Sequence, residues 1–180
     1  MVKKNNINSR GIRGGERDNF VHTGPGTLAG RYLRRFWQPI YVSEELPAGK
    51  IVPIKILGEE LALYRGESST PRVITNECPH RLSVLNTGWI EGETIRCRYH
   101  GWRFDESGGC VEQPGEQKPF CHKIPRLASY PTCELHGLIF AYFGEGDPPA
   151  FPPLPGLEEG VNDNWTVSPS AEMIPCNYFQ

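Results

Sequence analysis

Residues 78 to 104 constrain this chain more than any other stretch. Cys78-Pro79-His80 is followed, after sixteen residues, by Cys97-Arg98-Tyr99-His100. In ligand types this is C-x-H-x16-C-x2-H. Two thiols and two imidazoles arrive as two mixed pairs, one Cys and one His in each. Each pair adjoins a residue suited to a tight turn, Pro79 in one and Gly101 in the other. Four such side chains make a metal site, and a Cys2His2 set can hold one tetrahedral zinc or a two-iron, two-sulfur cluster. Zinc fingers usually group Cys with Cys and His with His. Mixed pairs suit a cluster, with each loop placing its Cys on an inner iron and its His on an outer one.

The rest of the chain has to carry two such loops. Gly (20) and Pro (17) are abundant among 180 residues, which predicts many turns and short strands. Apolar runs at 51–57, 61–65, 72–76, 88–90, 94–98, 102–104, 110–112, 123–127 and 138–143 are expected strands, with Gly58-Glu59-Glu60 turning one hairpin. Thr27 is placed to cap a short helix over 28–36. Leu28, Leu33, Phe36 and Trp37 form its apolar stripe, and Pro39 is its stop. Strands this short and this frequent predict a mainly all-β fold, an antiparallel β-sandwich or barrel with the metal-binding loops at one tip. Three parts are expected: an arm and short helix at 1–37, the cluster-binding domain at 38–146, and a Pro-rich linker with the start of a further domain at 147–180. The linker holds five prolines between Asp147 and Pro155 and should run extended. Residues 165–168 are a candidate further strand.

The segments Cys-Pro-His-Arg and Cys-Arg-Tyr-His-Gly-Trp resemble the Rieske [2Fe–2S] motif of aromatic-ring-hydroxylating oxygenase α subunits, the phthalate-dioxygenase-like Rieske non-haem iron oxygenases. The resemblance implies a Rieske-type antiparallel β-sandwich and a [2Fe–2S] cluster held by Cys78, His80, Cys97 and His100. Respiratory Rieske proteins carry a second Cys pair that links the two loops. The matching positions here are Ser83 and Tyr99, so the chain is similar to the oxygenase subtype. Many of those oxygenases continue Arg-Gly-Ala after the first His. This chain has Arg81-Leu82-Ser83, and Leu takes a positive φ less readily than Gly.

The same resemblance implies a role as the electron-transfer portion of an oxygenase. It would take electrons from a reductase or ferredoxin and pass them to a mononuclear Fe(II), held by two His and a carboxylate, that activates O2. Cys176 to Gln180 resembles the segment just before those ligands, which are therefore expected beyond Gln180. In the family the full-length protein is usually a homotrimer. A free-standing Rieske-type ferredoxin is the alternative, and such carriers resemble residues 38 to 145. The fragment alone is expected to move electrons and hydroxylate nothing. Pro79 and Gly101 are expected to aim backbone N–H groups at the cluster, with Trp102 and Phe104 packing its inner side. Tyr99 is expected either to donate its hydroxyl or to pack at the rim.

Charge and composition exclude other classes. The net charge of −2 argues against a nucleic-acid-binding protein. It is uneven, with +6 over residues 1–35 and −8 over the remainder, and the basic head is expected to be solvated surface. The longest apolar run, 138–143, is too short to span a bilayer, and no signal peptide is visible, so no membrane contact and a cytoplasmic location are expected. Cys110, Cys121, Cys133 and Cys176 lack a disulfide framework and are expected to be small buried hydrophobes. His22, His122 and His136 show no ligand spacing.

Overall fold

The computed structural model describes residues 21–155 and 168–172. Among these residues eleven strands form three antiparallel sheets of order β1-β11-β10, β2-β3-β4-β9 and β5-β6-β7-β8, and one short α-helix precedes them. The strands are β1 (Trp37–Val42), β2 (Ile51–Ile56), β3 (Glu59–Arg65), β4 (Pro71–Thr75), β5 (Trp89–Glu91), β6 (Thr94–Arg96), β7 (Arg103–Phe104), β8 (Cys110–Glu112), β9 (Ser129–Tyr130), β10 (Thr132–Leu135) and β11 (Leu138–Tyr142). The helix, α1, covers Leu28–Leu33.

The middle sheet organises the molecule. A strand with one wet face alternates in burial, but β3 is buried continuously from Leu61 to Arg65. Its two faces enter two different cores. Leu61, Leu63 and Val73 of β4 pack with Ile40, Ile139 and Ala141 of the first sheet and with Phe143 just after it. Ala62, Tyr64 and Ile74 pack the other way, against Ile95, Phe104 and Trp102 beside the β5–β8 sheet. Cys78 and Cys97 belong to this second core. The expected sandwich is therefore present, and the cluster-motif lobe lies on it as a further layer.

The hairpin turns explain part of the register. β2 and β3 pair from Ile51↔Tyr64 to Ile56↔Glu59, leaving Leu57-Gly58 as a two-residue turn one step earlier than expected. Both turn residues have positive φ, 48° and 80°, as a primed turn requires. Leu57 bears that strain while only 2% exposed, so core burial outweighs its turn preference. His136-Gly137 repeats the device between β10 and β11, with φ of 48° and 75°.

Three expectations change. The helix ends at Leu33, with Arg34 as its C-cap, and Thr27 caps its start by accepting the Gly30 N–H at 3.0 Å. Leu28 and Phe36 are exposed, so the expected stripe does not form. Pro39 lies inside β1 instead of stopping a helix. It is tolerated because β1 is an edge strand with a register shift between Pro39 and Tyr41. Residues 123–127 are not a strand: Cys121–Lys123 is a 3-10 turn, Pro125 lacks an N–H, and the ladder resumes at Ser129. The Pro-rich segment up to Pro155 has no ladder, as expected. Residues 1–20, positions 165–167 of the candidate strand at 165–168, and the segment after Glu172 lie outside the described residues. No helix among the described residues is long and apolar enough to cross a membrane.

Candidate metal centre

Two loops of one design present the four candidate ligands. The first follows β4 and carries Cys78 and His80. The second joins β6 to β7 and carries Cys97 and His100. In the first loop the Cys78 N–H bonds Ser83 O at 2.9 Å, and the Leu82 N–H bonds Cys78 O at 2.9 Å. In the second the Cys97 N–H bonds Trp102 O at 2.8 Å, and the Gly101 N–H bonds Cys97 O at 3.0 Å. The bridge Glu77↔Val84 closes the first loop as the pair Arg96↔Arg103 closes the second. The frames match residue for residue, yet the histidine falls two places after the cysteine in one and three in the other.

The turning residue is the fourth after each cysteine. Gly101 takes φ of 75°, and a Cβ there would meet Pro114 Cγ at 3.2 Å. Its counterpart is Leu82, with φ of 56°. Leu82 thus adopts the conformation that glycine favours, with its side chain 68% exposed and clear of the loop. Pro79 corresponds to Arg98, so the matched frame rests on Leu82 and Gly101, and Pro79 is not the turning residue.

Burial is graded across the set. Cys78 and Cys97 are 1% and 2% exposed, His80 is half-buried and His100 is exposed. The imidazole centroids lie 4.7 Å apart. His80 stacks on Trp102 at 4.4 Å, and Tyr99 packs on His100 at 3.8 Å, so Tyr99 is a rim residue. Interaction with the Cys97 thiol and then burial push the Cys78 thiol upward. Interaction with the Cys78 thiol, then the N–H groups of Tyr99 and His100 and the Ser83 hydroxyl, pull the Cys97 thiol down to about 5. The N–H groups of His80 and Arg81 bond to Cys78 sulfur in the same way. Backbone donors therefore converge on both cysteine sulfurs, where thiolate charge would reside.

The four side chains do not gather around one point. Among the described residues no three His, Cys, Asp or Glu side chains are placed to share a single ion. They stand as an inner thiol pair and an outer imidazole pair, which fits a group with two metal centres. His22 and His122 are exposed and His136 sits in its turn, apart from the loops.

Two supporting residues carried no sequence signal of their own. Ser83 is the hydroxyl donor to Cys97. Arg96, just before Cys97, donates to Gly101 O at 2.7 Å and to both Glu91 oxygens at 2.6 Å. It also pairs with Glu112 at 2.9 Å. It thereby ties the second loop to the floor of its sheet.

Paired loops that present two buried thiols and two outer imidazoles beside a β-sandwich define a cluster-binding type of module. Residues 36–131 match the Rieske [2Fe-2S] domain, and the chain belongs to that family. It is 35% identical over 170 residues to the 5,5'-dehydrodivanillate O-demethylase oxygenase subunit of Sphingobium sp. (strain NBRC 103272 / SYK-6), covering 92% of this chain and 39% of that one. It is 36% identical over 157 residues to the phthalate 4,5-dioxygenase oxygenase subunit of Pseudomonas putida, covering 84% and 35%. The fluorene-bound oxygenase–ferredoxin complex of carbazole 1,9a-dioxygenase is similar in structure, with a TM-score of 0.60 and 28% identity over 70% of this chain and 34% of that one. The chain spans less than half the length of these relatives. Its family is one of oxidoreductases whose Rieske domain carries a [2Fe–2S] cluster.

Proposed function

We propose that Cys78 and Cys97 hold the inner iron of the cluster and that His80 and His100 hold the outer one. On this reading the chain is the electron-transfer portion of a ring-hydroxylating oxygenase. The observation that carries the assignment is the graded pairing of two buried, N–H-bonded sulfurs with two outer imidazoles. When bound, the cluster supplies one-electron transfer at a potential raised by imidazole ligation. The chain's own contribution is to stabilise negative charge on the sulfurs, to exclude water with Trp102 and Phe104, and to present the imidazole edge outward.

Electrons enter from a reductase or ferredoxin at that edge. The relative solved with a ferredoxin supports this choice of donor. They leave for a mononuclear iron whose ligands this chain's remaining histidines do not supply. The full-length protein is a cytoplasmic homotrimer, and residues 1–180 alone hydroxylate nothing. The division at 37/38 and 146/147 separates an arm, the Rieske domain and a linker. The likeness to an oxygenase subunit runs over 170 residues, well past the 38–145 that a free-standing carrier would match, which favours the oxygenase reading.

Iron and acid-labile sulfide analysis tests the assignment. The expected protein is red-brown with two irons and two sulfides per chain. One zinc without labile sulfide overturns it. His100→Cys should keep a cluster at lower potential, because a thiolate adds negative charge.

A further inference from the structure

The cluster-motif lobe holds a second pair of sulfurs. Cys110 opens β8, and Cys121 opens the 3-10 turn Cys121–Lys123. Their Sγ atoms are 3.3 Å apart, both residues are half-buried, and neither is in a disulfide. The segment between them is tied down. The buried Gln113 accepts the Phe120 N–H through Oε1 at 2.6 Å, and its carbonyl accepts the Glu116 N–H at 3.1 Å. The Phe120 ring stands edge-on to Trp102 at 5.7 Å. The fold, not chance motion of two loose side chains, therefore holds these sulfurs in contact. A disulfide bond of about 2.0 Å requires them to close by only about 1.3 Å.

We propose that Cys110 and Cys121 are a peroxide-responsive dithiol that closes reversibly to a disulfide. It is a second redox site, separate from the metal centre and independent of which residues hold the cluster. Cys110 Sγ donates its proton toward Cys121 Sγ, and burial together with this bond raises the Cys110 thiol to about 12. Cys121, as acceptor, is the first nucleophile. Its thiolate attacks one oxygen of hydrogen peroxide, the O–O bond breaks, and hydroxide leaves and is protonated to water. Cys121 is then a sulfenic acid. Cys110 loses its proton and attacks the Cys121 sulfur. The S–S bond forms, the S–O bond breaks, and a second water leaves. Two thiols are oxidised by two electrons and one peroxide is reduced to two waters. Closure encloses residues 111–120 in a covalent ring and pins Phe120 beneath Trp102.

The test uses the purified protein with its cluster in place. Both cysteines fall on one tryptic peptide, 104–123, because Lys118 precedes Pro119, while Glu112 and Glu116 allow a Glu-specific protease to cut between them. After brief exposure to hydrogen peroxide and alkylation, that peptide should be unalkylated and lighter by two hydrogen atoms. The two Glu-cut pieces that carry the cysteines, 107–112 and 117–123, should stay joined until dithiothreitol is added, and the visible absorbance should persist. In Cys110→Ser, dimedone should trap Cys121 as its sulfenic acid. Alkylation of both cysteines in the treated wild type overturns the proposal, as does separate oxidation of each to a sulfinic acid. Closure that occurs only as the absorbance is lost also overturns it. The wild-type peptide decides the pairing even if the variant fails to fold.

Discussion

The imidazole of His80 lies flat on the indole of Trp102, with centroids 4.4 Å apart and planes 3° from parallel. Trp102 is 2% exposed and braced edge-on by Phe120, so it is a fixed floor for the ring. The relationship has a mirror. Trp102 stands five places after Cys97 and supports the first loop's histidine, while Ser83 stands five places after Cys78 and donates to the second loop's cysteine. Each loop thus holds a ligand candidate of the other. Trp102→Ala should cost about 3–5 kcal/mol through the cavity it leaves. Trp102→Phe should cost clearly less, since it keeps a ring under His80. Denaturant unfolding of the two variants checks the order.

Ser83→Ala should lower the reduction potential. The hydroxyl stabilises charge on Cys97, and reduction adds charge, so losing the donor disfavours the reduced state. Only the part of the bond that strengthens on reduction counts, so a net bond of about 1 kcal/mol sets an upper limit of roughly 40 mV for a one-electron couple. Protein-film voltammetry would detect this, and an unchanged potential would show that the hydroxyl does not act on the couple.

Leu82→Gly should stabilise the protein by up to about 1 kcal/mol, because an L-residue with positive φ carries a cost of that order that glycine avoids. The side chain is exposed, so little packing is lost. Leu82→Val should destabilise, since a β-branched residue fits this region worse. A midpoint that falls in Leu82→Gly would mean that the leucine makes contacts worth more than its strain.

What the sequence made legible was set by local chemistry. The loops that carry the candidate ligands stand out through Cys and His spacing, and β2 to β8 through short apolar runs between turn residues. The equivalence of Leu82 and Gly101 was hidden because it lies in backbone angles shared by dissimilar side chains. Leu57 was assigned to a strand because its apolar character masks a turn position. Ser83 and Arg96 act across loops, and residue type alone does not show such contacts. The approach of Cys110 to Cys121 depends on how the segment between them folds back onto Trp102. Pro39 misled because a helix stop and an edge-strand residue look identical without knowing the strand's neighbours.

Glu91 makes acid stability depend on Arg96. Its two bonds from Arg96, and then the bond from the Trp89 indole, hold its carboxyl down from 4.5 to about 2. A depressed carboxyl contributes stability that is present above the ordinary value and lost as pH falls through the folded one. Wild type should therefore lose more stability than Glu91→Gln between pH 4.5 and about 2. Any acid loss of the cluster affects both proteins, so the difference between them isolates Glu91. Parallel unfolding curves across that window would remove its role.

Trp37 should govern the Pro-rich linker. Its Nε1–H donates to Pro149 O at 3.0 Å, across 112 positions of sequence. Its ring lies 5.8 Å from both Tyr142 and Phe151, and Phe151 also meets Phe140 edge-on at 4.8 Å. Trp37 thus latches the Pro-rich segment onto the first sheet. Proline-rich backbone has no ladder of its own, so a few such contacts decide whether it stays docked. Trp37→Leu removes one hydrogen bond and the aromatic contacts, together about 2 kcal/mol. Local opening of residues 147–151 should then rise about 30-fold at 1.4 kcal/mol per factor of ten. Hydrogen exchange at the Ala150 and Phe151 amides reads this directly, with the β11 amides as the internal control. Unchanged exchange at Ala150 and Phe151 would show that the linker is held by something other than Trp37.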